Sequence, residues 1–395
     1  MNSKQTDAII IGGGIIGTAI AYQLSKRGIS VLLIESGDLC NGTTGACDAY
    51  ITPHTKAPGQ PLDLCIKSQQ VWKDLEAELE ADLEYEHACG GLQVCQNDLE
   101  YELVSDNSKK LLAGGLEVSM LPVKEMRKIE PALSETLAGA LYCPSAGQVN
   151  PFKVTYAYMK AAKQRSARAV LYTAVTALIR DGSRVVGVKT DKGDFYAAVT
   201  INAAGSWGAG VAKMAGLDFP IVPRRGQLVV SEPVAPLIHT TMQTGMYMVI
   251  KHHPELITDE RIKRLGIGYC IEQTKDGSIL MGFTRELVGF DKSTTLEAIE
   301  GIVQIACRHI PALRYIHFIR TFSGFRPYVP GNMPLIGPVD TVPGFFMAAG
   351  HEGDGVALSA ITGQLIAEYV MDGRPSFNID AFTPNRFIDN GRSAA

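Results

Sequence analysis

Along the first thirty-five residues the apolar positions change period twice. Ala8 to Ile11 is a short unbroken apolar run, the pattern of a strand buried on both faces of a parallel sheet. It stops at Gly12, Gly14 and Gly17, after which Ile16, Ala19, Ile20 and Leu24 recur with the spacing of one helical face. Gly28 stands where helices favour glycine at their end, and "ISVLLIE" is a second apolar run tipped by Glu35. The whole reads as one β-α-β unit.

Elsewhere the pattern alternates. Residues 66 to 86 form a charged helix pattern, "CGGLQVC" turns into a strand, "KEMRKIEPAL" is a short helix and "GALYCP" a strand. "TAVTALIRDGSRVVGVKTDKGDFYAAVTINAAGSWG" reads as strands joined by Asp-Gly and Lys-Gly turns, the last running into small residues. From "PRRGQLVVSEP" to about Arg320 the alternation is that of an antiparallel sheet. It is interrupted by "KHHPELITDERIKRLG", a solvated loop or short helix. "GFFMAAG" is a further buried strand, and "GVALSAITGQLIAEYV" is a helix packed through Val356, Ala360 and Gly363.

The glycine spacing G-x-G-x-x-G between strand and helix carries chemistry. Gly12 permits the tight turn, Gly14 lets the backbone approach a pyrophosphate, and Gly17 lets helix and strand pack closely. The helix N-terminus, with Ile15 and Ile16 in its first turn, then faces the anion with free N–H groups. Glu35 is placed to accept hydrogen bonds from both ribose hydroxyls, which selects a dinucleotide without a 2′-phosphate. That acid does not separate NAD from FAD. The following loop leans to FAD: Ser36, Thr43, Thr44, Gly45, Ala46 and Cys47 are small or hydroxylated and suit a segment wrapping a long cofactor. Val175, Ala204 and Gly205 are expected on the adenosine side, with Trp207 nearby.

Composition removes other classes. The net charge of -4 offers nothing to nucleic acid, and no stretch of eighteen apolar residues suggests a transmembrane helix. The eight cysteines lack C-x-x-C spacing, which argues against a metal centre and, with no signal peptide read at the N-terminus, for reduced thiols and a cytoplasmic protein.

Taken together, "IIIGGGIIGTAIAYQL", "GTTGACD", "INAAGSWG", "PRRGQLVV", "DGSILMGFTRE", "GFRPYVPGNMPLIG" and "GHEGDG" resemble the D-amino-acid oxidase superfamily of FAD-dependent oxidoreductases, which includes glycine and sarcosine oxidases. "GACD" and "GHEGDG" are most similar to catalytic β subunits of heteromeric members: opine oxidases, hydrogen cyanide synthase, and hydroxyproline or proline dehydrogenases. The resemblance implies an α/β fold, a Rossmann-type FAD-binding domain with an inserted α+β substrate domain on a mainly antiparallel sheet. The FAD-binding domain is expected over 1–87, 146–222 and 321–395, and the substrate domain over 88–145 and 223–320.

The resemblance also assigns a site. Arg326 would grip a substrate carboxylate, its planar fork donating two parallel hydrogen bonds, and Tyr247 could line the pocket from a sheet strand. Both readings compete with structural ones. Gly324, Gly350, Gly353, Asp354, Gly355 and Val356 belong to the flavin side, with Asp354 a candidate helix cap and Glu352 a charge that would repel reduced flavin unless turned away. His54 is a weaker pocket candidate. A cysteine that links flavin in some relatives falls near Phe325 and Arg326, so FAD is expected to be noncovalent. Asn150 stands near a histidine that links FMN in others, leaving FMN only as a noncovalent guest at a subunit interface. No lysine suited to activating oxygen is evident. The expected reaction is hydride transfer from the C–N unit of an amino acid or amine (proline, hydroxyproline, sarcosine, glycine or opine class), in a complex with partner subunits. The alternatives are a 2-hydroxy-acid or polyol-phosphate dehydrogenase, and a non-catalytic flavoprotein scaffold.

Overall fold

The computed structural model describes residues 5–388. Its first sheet has eight strands. The main path runs Leu335–Pro338, Phe345–Ala349, Gly193–Asn202, Gln5–Ile11, Val31–Ile34 and Arg168–Val170. Four neighbouring pairs on this path are parallel, and only Leu335–Pro338 runs against its neighbour. Ala8, Ile9 and Ile10 are wholly buried, as an unbroken apolar run requires. One face is covered by the helices Ile15–Lys26, Gln60–Trp72, Pro151–Gln164 and Gly355–Asp372. The strands Val175–Asp181 and Arg184–Thr190 leave the main path as an antiparallel extension of Gly193–Asn202.

The second sheet also has eight strands and is antiparallel at every pair except Thr241–Thr244 with Gly91–Cys95. Its core packs against the amphipathic helix Leu296–His309. The strand Phe318–Tyr328 pairs with Val222–Ser231 along almost its whole length. By strand membership this sheet therefore reaches Tyr328, past the expected limit at 320.

Two local patterns depart from expectation. The helix expected over 66–86 breaks into Gln60–Trp72 and Leu75–Leu79, and residues beyond Glu80 are irregular. Glu76 Oε1 accepts from the Leu83 N–H (2.9 Å) and the Tyr85 N–H (3.2 Å), and Glu80 takes a left-handed φ of 49°. The segment 251–266 contains the end of one helix, Met246–His252, and a second, Glu260–Leu265, whose N-cap Asp259 accepts from the N–H groups of Arg261 and Ile262.

His54 lies in a short 3-10 turn, buried, with neither ring nitrogen hydrogen-bonded. Burial, aided by Lys56, pulls its pKa down to about 3. The folded protein thus binds this proton less readily than the unfolded chain, so stability is lost as pH falls from about 6.5 toward 3. His54→Leu removes that penalty without breaking a hydrogen bond. Thermal melts should show the variant gaining on the parent between pH 7.5 and pH 5; a constant difference would refute the assignment.

Candidate active site

A cavity of about 440 Å³ runs from the first β-α turn to the face of the second sheet. At one end stands the turn Gly12–Gly14. Gly12 has φ +115°, and a Cβ on Gly17 would lie 2.0 Å from the Gly12 carbonyl oxygen, so the third glycine is required by packing. The helix Ile15–Lys26 has no side-chain cap. Thr44 Oγ1 accepts from the Ile15 N–H (3.1 Å), while the remaining first-turn donors have no partner within the helix. Glu35 is locked by the N–H groups of Gly13 (2.7 Å) and Gly37 (2.8 Å), which fixes its carboxylate in the cavity wall.

At the other end the helix Gly355–Asp372 opens on the cavity through Gly355 and Val356. Asp354 does not cap it. Its carboxylate instead pairs with Lys56, whose side chain is 5% exposed. Burial pulls the Lys56 ammonium down, but Asp354 outweighs it and holds the proton above the ordinary range. Lys56 and Asp354 both line the cavity, so a lysine does face this space.

Beside them lies a charged cluster. Arg224 and Arg326 are cross-strand partners on Val222–Ser231 and Phe318–Tyr328, and Arg285 follows the strand Ile279–Gly282. All three converge on Glu352, which is 4% exposed: Arg224 bonds it directly, with Arg285 Nη2 at 3.9 Å and Arg326 Nε at 4.0 Å. Burial would raise the Glu352 carboxyl, but Arg285, Arg224 and Arg326 hold it well below the usual range. Its charge is thereby compensated within the protein. The Arg326 guanidinium donates Nη1 to the Thr284 carbonyl (2.9 Å) and lies across Gly226, where a Cβ would come within 2.3 Å of Nη1. The other arginine of "PRRG", Arg225, points away and forms a buried pair with Glu286, as strand alternation requires.

The FAD dependent oxidoreductase family model matches residues 7–369. The chain belongs to this family of FAD-dependent oxidoreductases. It is similar to hydrogen cyanide synthase subunit HcnC of Pseudomonas aeruginosa, at 31% identity over 98% of this chain and 97% of that protein. Among solved structures, L-proline dehydrogenase from P. horikoshii superposes with a TM-score of 0.87 at 25% identity, covering 98% of each chain. Glycine oxidase from Geobacillus kaustophilus gives 0.86 at 26%, covering 96% of this chain and 98% of that one.

The cavity of this FAD-dependent oxidoreductase suits its cofactor. It joins two helix N-termini that lack side-chain caps, favourable places for a pyrophosphate and for an electron-rich ring edge. Ser36, Thr43, Thr44, Ala46, Cys47, Val175, Ala204, Gly205, Trp207 and Gly324 line it, as do Ile15, Ile16, Gly353, Arg326 and Tyr247. Gly17, Gly45 and Gly350 do not. Their missing side chains make room for the Gly12 carbonyl, the Cys40 carbonyl and Val329 respectively.

Further corrections follow from the geometry. Tyr247 sits on the helix Met246–His252 and not on a strand, because the chain turns at Gly245, which is tight against Glu100 and the Val94 carbonyl. His54 is absent from the cavity wall, although Thr52, Thr55 and Lys56 around it are present. Asn150 accepts from the N–H groups of Phe152 and Lys153 and donates to Glu84, so its amide serves a helix end. Among the described residues, no helix is long and apolar enough to cross a membrane.

Lys56, Arg224, Arg285 and Asp48 were not foreseen. "PRRG" offered the signal for Arg224, since adjacent strand positions face opposite ways and one of the two arginines must share the face of the sheet that lines the cavity. Glu352→Gln should lower stability by about 3–5 kcal/mol, because it leaves buried guanidiniums without a counter-charge. Differential scanning calorimetry would read this, and an unchanged melting temperature would contradict the cluster's description.

Proposed function

We propose that this chain oxidises the carbon–nitrogen bond of an amino acid or secondary amine bearing a carboxylate (proline, hydroxyproline, sarcosine, glycine or opine class), as the catalytic subunit of a heteromeric complex. The observation that carries this reading is the Arg326 guanidinium, which lines the cavity beside the N-terminus of Gly355–Asp372. Bound FAD would supply the two-electron acceptor. Arg326 would fix the substrate by its carboxylate, converting a loose encounter into an oriented one.

The reacting nitrogen must be unprotonated. Asp48 lines the same cavity, and burial pushes its carboxyl up against the opposing pull of Arg326. It is therefore suited to take the proton from an entering ammonium. Oxidation then leaves a C=N bond, to which water adds to release a carbonyl compound and an amine. A carboxylate in the cavity favours an amine over a 2-hydroxy acid, which offers no positive charge to match. Asp48→Asn should lower kcat/KM by about 10²-fold, with the deficit smallest at high pH, where the free amine needs no acceptor. A pH-independent deficit would sink this role.

Subunit status is supported by the 31% likeness to a protein named as a subunit. FAD alone suffices for the reading, and Asn150 lends FMN no support. The direct test is anaerobic bleaching of the yellow holoenzyme with proline, sarcosine, opines and 2-hydroxy acids. Bleaching by hydroxy acids alone would replace the amine reading, and no bleaching even with partners present would favour a scaffold. A monomer with full turnover in isolation would remove the heteromer.

A further inference from the structure

A second cavity, of about 390 Å³, shares a wall with the first. Tyr50 lines the first cavity, and its strand partner Gln148 lines the second. On the strand Cys270–Gln273, Cys270 lines the first and Gln273 the second. Between them Glu272 is 5% exposed and lines neither. Strand alternation puts it on the face of Cys270, whose thiol bonds Asp48. Its Oε2 accepts from the N–H of Ala49, the residue after Asp48 (3.1 Å). On the far side Glu86 lines the second cavity, held by the side-chain amide of Gln148 (2.6 Å).

Burial pushes the Glu272 carboxyl up to about 8, and the charges of Asp48 and Glu86 add to this, so it carries a proton at neutral pH. The other titratable groups facing it are Cys47, Tyr50, Cys89 and, on its own strand, Cys270, none of them a cation. A buried acid with no cation is costly, and amine oxidation as described above leaves this one unused. Gln243, the cross-strand partner of Cys270, lines the first cavity with a buried Oε1 that has no hydrogen-bond partner. That oxygen is an acceptor for a water molecule next to the Asp48–Cys270 contact.

Resting on the amine-oxidising reading above, we propose that Asp48, Glu272 and Glu86 form a proton exit from the first cavity to the second. Glu272 is a relay and touches neither substrate nor cofactor. The substrate ammonium loses its proton to the Asp48 carboxylate. Glu272 gives its own carboxyl proton to Glu86, which yields it to solvent in the second cavity. The emptied Glu272 then takes the proton from Asp48, directly or through water at Gln243. No electrons move, and one proton leaves for each that enters, so Asp48 is again a carboxylate for the next amine. The path matters because substrate and cofactor together occupy the cavity through which Asp48 would otherwise reach solvent.

Two measurements on the FAD-loaded protein test the path. The first needs no substrate. Infrared difference spectra between pH 6 and pH 10 should show a protonated-carboxyl band that disappears with a midpoint of about 8, is absent from Glu272→Gln, and has a lower midpoint in Asp48→Asn. In deuterated water that band should shift about 10-fold more slowly in Glu86→Gln than in the parent, because the way out is broken. The second measurement is turnover with whichever of proline, sarcosine or the opines bleaches the flavin. Glu86→Gln should lower kcat by about 10-fold with KM unchanged. Imidazole, a proton carrier small enough for the second cavity, should restore most of that loss and leave the parent unaffected. Glu272→Gln, which keeps an oxygen for the Ala49 N–H, should lose as much, and Glu272→Asp should recover part. A merely structural Glu86 would give a loss that imidazole does not repair. The absence of the band, equal exchange rates, or a kcat that is undiminished or not rescued overturns the proposal. If Glu272→Gln does not fold, the Glu86→Gln results decide. If no amine bleaches the flavin, the amine-oxidising reading falls, and the band and its exchange rate still decide whether the two cavities are joined.

Discussion

Arg326→Met is expected to lower kcat/KM for a carboxylate-bearing substrate by about 10²–10³-fold, the loss for a desolvated charge pair truncated on one side. FAD content should stay near that of the parent, since Arg326 reaches the rest of the protein through one hydrogen bond, to the Thr284 carbonyl, and its approach to Glu352. Arg326→Lys should recover little, because an ammonium cannot reproduce the planar fork. Steady-state kinetics beside the absorbance of bound flavin distinguish the outcomes. Activity within about threefold of the parent would make Arg326 a structural residue and withdraw the observation on which the proposed function rests.

The second large effect concerns Gly17→Ala. The added methyl would sit 2.0 Å from the Gly12 carbonyl oxygen and 3.1 Å from its carbonyl carbon, both backbone atoms that cannot rotate aside. Either the helix Ile15–Lys26 retreats from the strand Gln5–Ile11 or the turn between them opens. Both destroy the alignment of N–H groups at Gly14 and Ile15. The variant should be purified colourless, with a lower melting temperature from overpacking of about 1–3 kcal/mol. A yellow protein with parental FAD affinity would show that this turn does not position the cofactor.

Much of the fold was legible because its elements are locally consistent. The β-α-β unit combines an apolar run, a glycine turn and a helical face within thirty-five residues, and each signal agrees with the others. The helix break at Leu79 was not legible. It depends on Glu76 bonding to backbone N–H groups at Leu83 and Tyr85, a choice that propensity does not reveal. That Gly12, Gly14, Glu35, Thr43 and Thr44 share one cavity wall was legible for the same reason as the fold, since these residues are close in sequence. The charged contacts were not. Lys56 and Asp354 are far apart along the chain, as are Arg285 and Glu352, and only the folded sheet brings them together. Asp354 was read as a cap because Asp before a helix is usually one. A buried lysine from another segment took its carboxylate instead.

The strand Phe318–Tyr328 has a mechanical consequence. Its Phe325 carbonyl accepts hydrogen bonds from Thr43 (2.6 Å), in the loop that lines the cavity, and from Ser206 (2.9 Å), and the next residue is Arg326, the substrate anchor proposed above. Clamp and anchor are thus one peptide apart, about 3.3 Å along a strand, with no joint between them. A motion that admits substrate therefore has to leave this stretch of strand in place. The separation between electron donor and acceptor is then set like a tool in a fixed jig. Altering which molecules enter and altering how well they react become separate engineering problems, addressed at different residues.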